Sequence, residues 1–387
     1  MRLLILSSNN GAGHNSAGRA LLRQAERRGV SCEMIDALAL SSKAGSKALE
    51  EIHVKSALYA PQLFAWGNRM AEQMTQADKP SACYRSNARC AAKLMRYIRQ
   101  NGFDTVIATH VFPALMLTGI KRTIDPGLPA YFVATDYACA PFVSETELDG
   151  WFVPHERLRW DFLKSGVPGN RLFATGIPVS SQFLAHADKA AARALLRLPQ
   201  NQPVAMVMTG SMGFGCAFEQ VGALLDALAQ QACILLMCGN NNRLRTAVEE
   251  RYGASGRVVA RGYTNQIPLY MDACDVLLSK PGGLSATEAA VHGVPLVLTA
   301  PLPGCWEAEN VRFFESQGLA FRGNTPESAA LQAARLLGDA SLRRRMQARQ
   351  HAQINPFAAE DILSRVCTSA YAPIGQTCLA YEAAGAH

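Results

Sequence analysis

The sequence predicts two doubly wound α/β units in tandem, on three observations. Short, continuous apolar runs recur along the chain, each followed by a helix-like segment, as in the buried parallel strands of βαβ units. The pattern starts twice, near Arg2 and again near Val204, each time as strand, glycine-bearing turn and helix. A length of 387 residues with 49% apolar side chains suffices for two domains, each with its own core.

The first strand is Arg2–Ser7, followed by a helix from about Ser16 to Arg28. Thr105–Thr109, Ala130–Thr135 and Gly150–Val153 read as further buried strands. Between them Ser41–Gln76 carries Leu58, Tyr59, Leu63, Phe64, Trp66 and Met70 among lysines, a helical insert too long for a simple connection. Thr175–Val179 is the junction. The second unit runs through strand Val204–Met208, a helix from about Ala217 to Gln230, and strands at Ile234–Met237, Val258–Val259, Val276–Leu278 and Leu296–Leu298. The domain boundaries are therefore 1–178 and 179–365, with a tail, 366–387, expected to pack back on the first domain. Two such units face each other across a cleft, with ligands at the carboxyl ends of the strands.

Composition excludes several classes. The chain is too apolar for intrinsic disorder. No apolar run approaches the roughly 18–20 residues that span a bilayer, and Met1–Leu6 is short for a signal peptide, so a cytoplasmic protein is expected. The eleven cysteines are scattered, odd in number and without a CxxC pair, which favours reduced thiols over a disulfide framework or a metal site. Residues 1–180 hold 21 Lys and Arg against 15 Asp and Glu, whereas residues 181–387 hold 17 against 16. Arg85, Arg89, Lys93 and Arg96 recur at helical spacing in a stretch without acids. That basic stripe is either a solvated face or a contact for anionic lipid headgroups, each charge worth about 1 kcal/mol there. No nucleic-acid-binding module accompanies it.

Two glycine turns carry the candidate chemistry. Gly11, Gly13 and His14 follow the first strand; glycines let a backbone approach a ligand, and an imidazole there is either a general base or a packing histidine. The second turn, Ser279-Lys280-Pro281-Gly282-Gly283-Leu284-Ser285, ends a strand and opens a helix, a diphosphate cradle of backbone donors, a hydroxyl and the helix dipole. Glu288, one turn on, suits a pair of ribose hydroxyls; its plain alternative is a surface acid. There is no Walker signature, and no DxD motif.

Taken in order, Gly11-Ala12-Gly13-His14-Asn15-Ser16-Ala17, Ala134-Thr135-Asp136-Tyr137, Thr175–Val179, Arg261-Gly262-Tyr263-Thr264, Lys280–Gly283, Pro301–Gly304 and Glu309-Asn310 resemble one family over roughly residues 1–365. This is the monogalactosyldiacylglycerol synthase and processive diacylglycerol glucosyltransferase group of GT-B glycosyltransferases, related to the peptidoglycan N-acetylglucosaminyltransferase. The resemblance implies GT-B architecture, two Rossmann-like domains around a central cleft. It implies inverting transfer of glucose or galactose from a UDP-sugar to the hydroxyl of diacylglycerol, with no cofactor and no active-site metal. His14 would be the base and Asp136 its partner or a substrate contact. Gly210, Ser211, Gly282, Gly283 and Ser285 would face the diphosphate, Glu288 the ribose, Arg261, Gly262, Tyr263 and Thr264 the uracil, and Glu309 and Asn310 the donor sugar. His110 would line the acceptor cleft. The stripe and the Trp66 region would hold the enzyme peripherally on the inner face of the cell membrane.

The chain departs from the family twice. Tyr137-Ala138-Cys139-Ala140 stands where relatives have a histidine soon after Thr-Asp. Pro303-Gly304-Cys305-Trp306-Glu307-Ala308-Glu309-Asn310 replaces their Pro-Gly-Gln-Glu, leaving the hexose open. Other readings are transfer to a polyprenyl-linked precursor, a UDP-sugar 2-epimerase, or a non-catalytic lipid- or nucleotide-binding protein.

Overall fold

The computed structural model describes residues 1–8, 12–41, 80–210, 217–228, 232–300 and 307–371. The helical insert, Gly11, Ser211, the Cys305-Trp306 loop and the tail beyond residue 371 lie outside them.

The apolar runs become strands because a parallel strand is covered on both faces and needs no polar alternation. Leu3, Leu4, Ile5 and Leu6 of β1 (Arg2–Ser7) have no exposed surface. The first sheet adds β2 (Ser31–Asp36), β3 (Thr105–Ala108), β4 (Ala130–Val133), β5 (Gly150–Val153) and β6 (Leu172–Ala174). Its order is β2-β1-β3-β4-β5-β6, all parallel. The second contains β7 (Val204–Met208), β8 (Cys233–Met237), β9 (Val258–Arg261), β10 (Val276–Ser279), β11 (Leu296–Leu298) and β12 (Phe321–Arg322), ordered β12-β11-β10-β7-β8-β9 and again parallel. Cys233 and Cys238 pack in and beyond β8 as buried thiols.

Each sheet reverses direction beside its own first strand. The chain leaves β1 for β2 on one side and returns through β3 on the other; β7 stands in the same way between β8 and β10. A crevice opens at the carboxyl ends of the strands where the order switches. Leu6 pairs with Ala108 at the first switch point, and Met208 with Ser279 at the second. His14 and His110 follow the first pair, Gly210 and Gly282 the second.

The chain returns to the first domain earlier than residue 366. Helix Ala358–Tyr371 lies on helix Ala12–Arg27, with Ile362, Leu363 and Val366 buried against Leu3, Ile5 and Leu21. Arg28 pairs with Glu360 at 3.2 Å. The junction beneath is tight: Gly176 has φ +97°, and a Cβ there would lie 3.1 Å from the Ala358 Cβ. The basic stripe is not one helix. It divides into Ala82–Ala88 and Ala91–Gln100, because the ladder tightens where Cys90 N–H bonds the Asn87 carbonyl at 2.9 Å. Arg85, Arg89, Lys93 and Arg96 are all exposed. No helix of the described residues is long and apolar enough to cross a membrane.

Candidate active site

His14 sits in the first turn of helix Ala12–Arg27, just beyond the β1 switch point. Its Nδ1 lies 3.0 Å from the Thr109 carbonyl and 2.7 Å from the Thr135 hydroxyl. A carbonyl only accepts, so Nδ1 carries the proton and Nε2 is the basic nitrogen. Burial holds the imidazole below its usual value, against the Asp136 charge and the Thr109 carbonyl. A neutral imidazole with one nitrogen fixed and the other free to accept is the form a general base needs.

His110 lies beside this ring. It caps helix Val111–Thr123, its Nδ1 accepting from Phe112 N–H at 3.1 Å. Its ring meets His14 edge-on, centroids 4.6 Å apart at 83°.

The two domains close on each other at this point. Gly13 lies against Leu284, a Cβ there falling 3.6 Å from the Leu284 Cβ. Asp136 Oδ1 accepts from Gly283 N–H at 3.3 Å and from Asn310 Nδ2 at 2.9 Å. Among the described residues Asp136 makes no hydrogen bond to His14 and acts on it through charge; Thr109 and Thr135 are the direct partners. Asp136 instead places an anion at the N-terminus of helix Gly283–His292, where the helix dipole and unpaired N–H groups favour one. A donor diphosphate at that cradle would compete for the same amides.

Asn310 is fully buried as an interdomain clamp. Its Nδ2 also donates to the Pro281 carbonyl at 2.9 Å, and its Oδ1 accepts from Tyr137 N–H at 2.6 Å. Tyr137 stacks on Phe313 at 4.4 Å, and its hydroxyl lies 3.0 Å from Thr287 Oγ1. The tyrosine that replaces the expected histidine is thus a packing and clamping residue. Glu309 pairs with Arg312 on the same helix.

On the cradle side, Gly210 has φ +78°, a conformation that favours glycine, and a Cβ there would meet only the movable end of Lys280, Cε at 2.9 Å. Lys280 Nζ is 3.4 Å from Glu307. Ser285 lies in the first turn of the cradle helix beside Gly282 and Gly283. Burial pushes the Glu288 carboxyl up to about 8, against the pull of Arg19 from the other domain. The raised value means that the packed arrangement around Glu288 holds a proton which an arrangement exposing it releases. That packing around Glu288 is therefore favoured below the ordinary carboxyl range, and this contribution is lost as pH rises through about 8. Small-angle scattering should show expansion across that window in the wild type and none in Glu288→Gln. Equal profiles would remove Glu288 from the interface.

Arg261 ends β9, and Gly262, Tyr263 and Thr264 follow it. Arg261 donates to the Ala260 and Leu196 carbonyls, Thr264 accepts from Gln266 N–H at 3.1 Å, and Tyr263 is 67% exposed. Gly262 has open space where a side chain would stand, the nearest atom being the Gly239 carbonyl oxygen at 3.9 Å. The structure thus gathers His14, His110, Asp136, Gly283 and Asn310 at one interface, with Gly282 and Gly210 beside it, and sets Arg261–Thr264 at the carboxyl end of β9. Sequence reasoning missed Thr109, Thr135 as a ligand of His14, and Thr287.

Both halves of the chain match known families. Residues 14–179 match the family described as monogalactosyldiacylglycerol (MGDG) synthase, and residues 218–353 match glycosyl transferases group 1. The chain thus pairs an MGDG-synthase-like domain with a group 1 glycosyltransferase domain on a GT-B fold. Among relatives, a processive diacylglycerol β-glucosyltransferase of Staphylococcus saprophyticus is 28% identical over 63% of this chain, which spans 62% of that protein's length. The enzymes of the same name from Bacillus licheniformis and Bacillus subtilis are 25% identical over 87% and 89% of both chains. The GT-B fold is shared with MurG of Acinetobacter baumannii (14% identity, 95% and 99% coverage, TM-score 0.61). It is shared equally with a UDP-GlcNAc 2-epimerase of Neisseria meningitidis bound to UDP-GlcNAc (13%, 95% and 100%, 0.62). In this glycosyltransferase, then, the two switch points face each other, with the imidazole on one side and the anion cradle on the other.

Proposed function

We propose that this enzyme transfers glucose or galactose, with inversion, from a UDP-sugar to the hydroxyl of diacylglycerol or a related lipid. The observation that carries the reading is His14, its Nδ1 anchored on Thr109 and Thr135, set across the closed interface from the Gly282–Gly283 cradle. His14 Nε2 takes the acceptor proton as the hydroxyl oxygen attacks the anomeric carbon. The bond from that carbon to the diphosphate breaks, and the electron pair leaves with UDP. Backbone amides and the dipole of helix Gly283–His292 stabilise the departing charge, so no active-site metal is invoked. Asp136 gives up the cradle when the donor enters, and Glu288 meets the ribose.

The acceptor assignment rests on the relatives, which are named for diacylglycerol, and on the exposed cations of the first domain. Product analysis tests it. Incubation with UDP-glucose or UDP-galactose and diacylglycerol vesicles should give one hexosyl lipid with one donor. Transfer only to a non-lipid acceptor, or epimerised donor without transfer, would overturn it.

We also propose that Arg85, Arg89 and Lys93 hold the enzyme on the inner face of the cell membrane. Among the described residues none of them forms an ion pair with an acidic side chain. Changing all three to Gln should weaken partitioning to anionic vesicles on the order of 100-fold, at about 1 kcal/mol per charge. Undiminished partitioning would leave them as a solvated face.

A further inference from the structure

We propose that His186, Asp272 and His292 form a site for a divalent transition-metal ion that ties the segment joining the two sheets to the far end of the cradle helix. Asp272 lies in the last turn of helix Ile267–Ala273, His292 ends helix Gly283–His292, and His186 belongs to the connection between β6 and β7. The ligands come from three separate elements, so no local spacing announces them in the sequence.

The hydrogen bonds prepare both inner ligands. His292 Nδ1 lies 3.0 Å from the Phe183 carbonyl, which can only accept, so the proton is on Nδ1. Nε2 then directs its lone pair at Asp272 Oδ1, 2.9 Å away. Two lone pairs at that distance repel unless a cation lies between them. A ring whose other nitrogen donates to a carbonyl is the usual arrangement of a metal-bound histidine. The carboxylate is held as well, Asp272 Oδ2 accepting from Ala187 N–H at 3.0 Å.

The third ligand separates a metal from a proton. His186 Nδ1 is 3.5 Å from the same Asp272 Oδ1, and all three ligand atoms lie within 4.8 Å of one another. A proton bridges two atoms, whereas a metal gathers three. Tetrahedral zinc with bonds of about 2.0–2.1 Å sets its ligands about 3.3 Å apart; the 2.9 and 3.5 Å spacings about Asp272 Oδ1 fit that, while the exposed His186, its ring centroid 4.5 Å from that of His292, must turn to complete the third pair. Neutral imidazoles with one carboxylate suit zinc-like ions rather than calcium or magnesium. His292 and Asp272 are nearly enclosed, whereas the His186 side chain is 54% exposed, which leaves a fourth position to water. Both helices point their negative C-terminal ends at the cluster, which favours a cation. At 1.5 Å per residue the site lies about 13 Å along the helix from the cradle, outside the reacting centre. A metal here fixes the connection on which the two domains move.

The test uses the full chain, untagged, stripped with a chelator and with its thiols blocked, titrated with Co²⁺. Saturation at a single ion with visible ligand-field absorption, displaced by Zn²⁺, is expected. His186→Ala alters an exposed side chain and leaves the fold intact by circular dichroism; it should weaken Co²⁺ by about 10-fold or more, as should Asp272→Asn. Zn²⁺ should raise the thermal midpoint of the wild type and not of His186→Ala. Absence of saturable uptake, or uptake that His186→Ala leaves unchanged, overturns the proposal and makes Asp272 and His292 a plain hydrogen-bonded pair.

Discussion

Replacing His14 by alanine is expected to lower turnover about 100-fold or more while UDP affinity stays the same. The loss follows from position: His14 is the ring whose basic nitrogen is left free by a proton fixed on Nδ1. The pH profile gives a second reading of the same residue. Because burial lowers the imidazole's pKa, the base form persists below the ordinary histidine value of about 6.5. The acid limb of kcat/KM should therefore fall below that value in the wild type, and vanish with the residual activity of His14→Ala. Near-normal turnover of the variant, or an acid limb unmoved by it, would take the base role from His14. Thr135→Val, which removes one partner of Nδ1 but keeps the shape, should move the limb and lower turnover by less.

The second large effect is expected from a methyl group. A Cβ on Gly283 would stand 2.3 Å from the Thr135 carbonyl oxygen and 2.9 Å from the Asp136 Cα, both backbone, so neither side can yield by rotating a side chain. Alanine suits the first turn of a helix, and the second domain should fold unchanged. The domains, however, cannot then approach as closely. A misplacement of about 1 Å between reacting groups costs on the order of 100-fold, and Gly283→Ala should lose about that much transfer. UDP should bind no more weakly, since the cradle amides remain and the competing Asp136 carboxylate is held off. Scattering should report a more open molecule. Full activity with an unexpanded shape would mean that this contact is not the working arrangement.

Much of the fold was legible because buried parallel strands are continuous apolar runs. Val204–Met208 and Leu296–Leu298 begin and end where those runs do. β2 was missed because Ser31–Asp36 is an edge strand, half polar and only partly buried, and β6 and β12 are too short for any pattern. The stripe was misread as one helix because its spacing persists through the turn at Arg89-Cys90, which is set by backbone hydrogen bonds.

In the site, His14 and Gly283 could be found because each follows a strand at a switch point. Thr109 and Thr135 could not: they lie 95 and 121 positions from His14 and meet it only through the sheet. Asn310 was visible as part of a motif, but its clamp across 173 and 174 positions to Tyr137 and Asp136 exists only once the domains close.

The central claim is that the two facing switch points carry hexose transfer to a lipid. UDP release from the purified chain tests it most directly, with UDP-glucose and UDP-galactose in separate reactions, with and without diacylglycerol in anionic vesicles, wild type beside His14→Ala. Release that requires lipid, prefers one donor and collapses in the variant is the predicted result. Release indifferent to lipid or to His14, or none despite bound UDP, would contradict it.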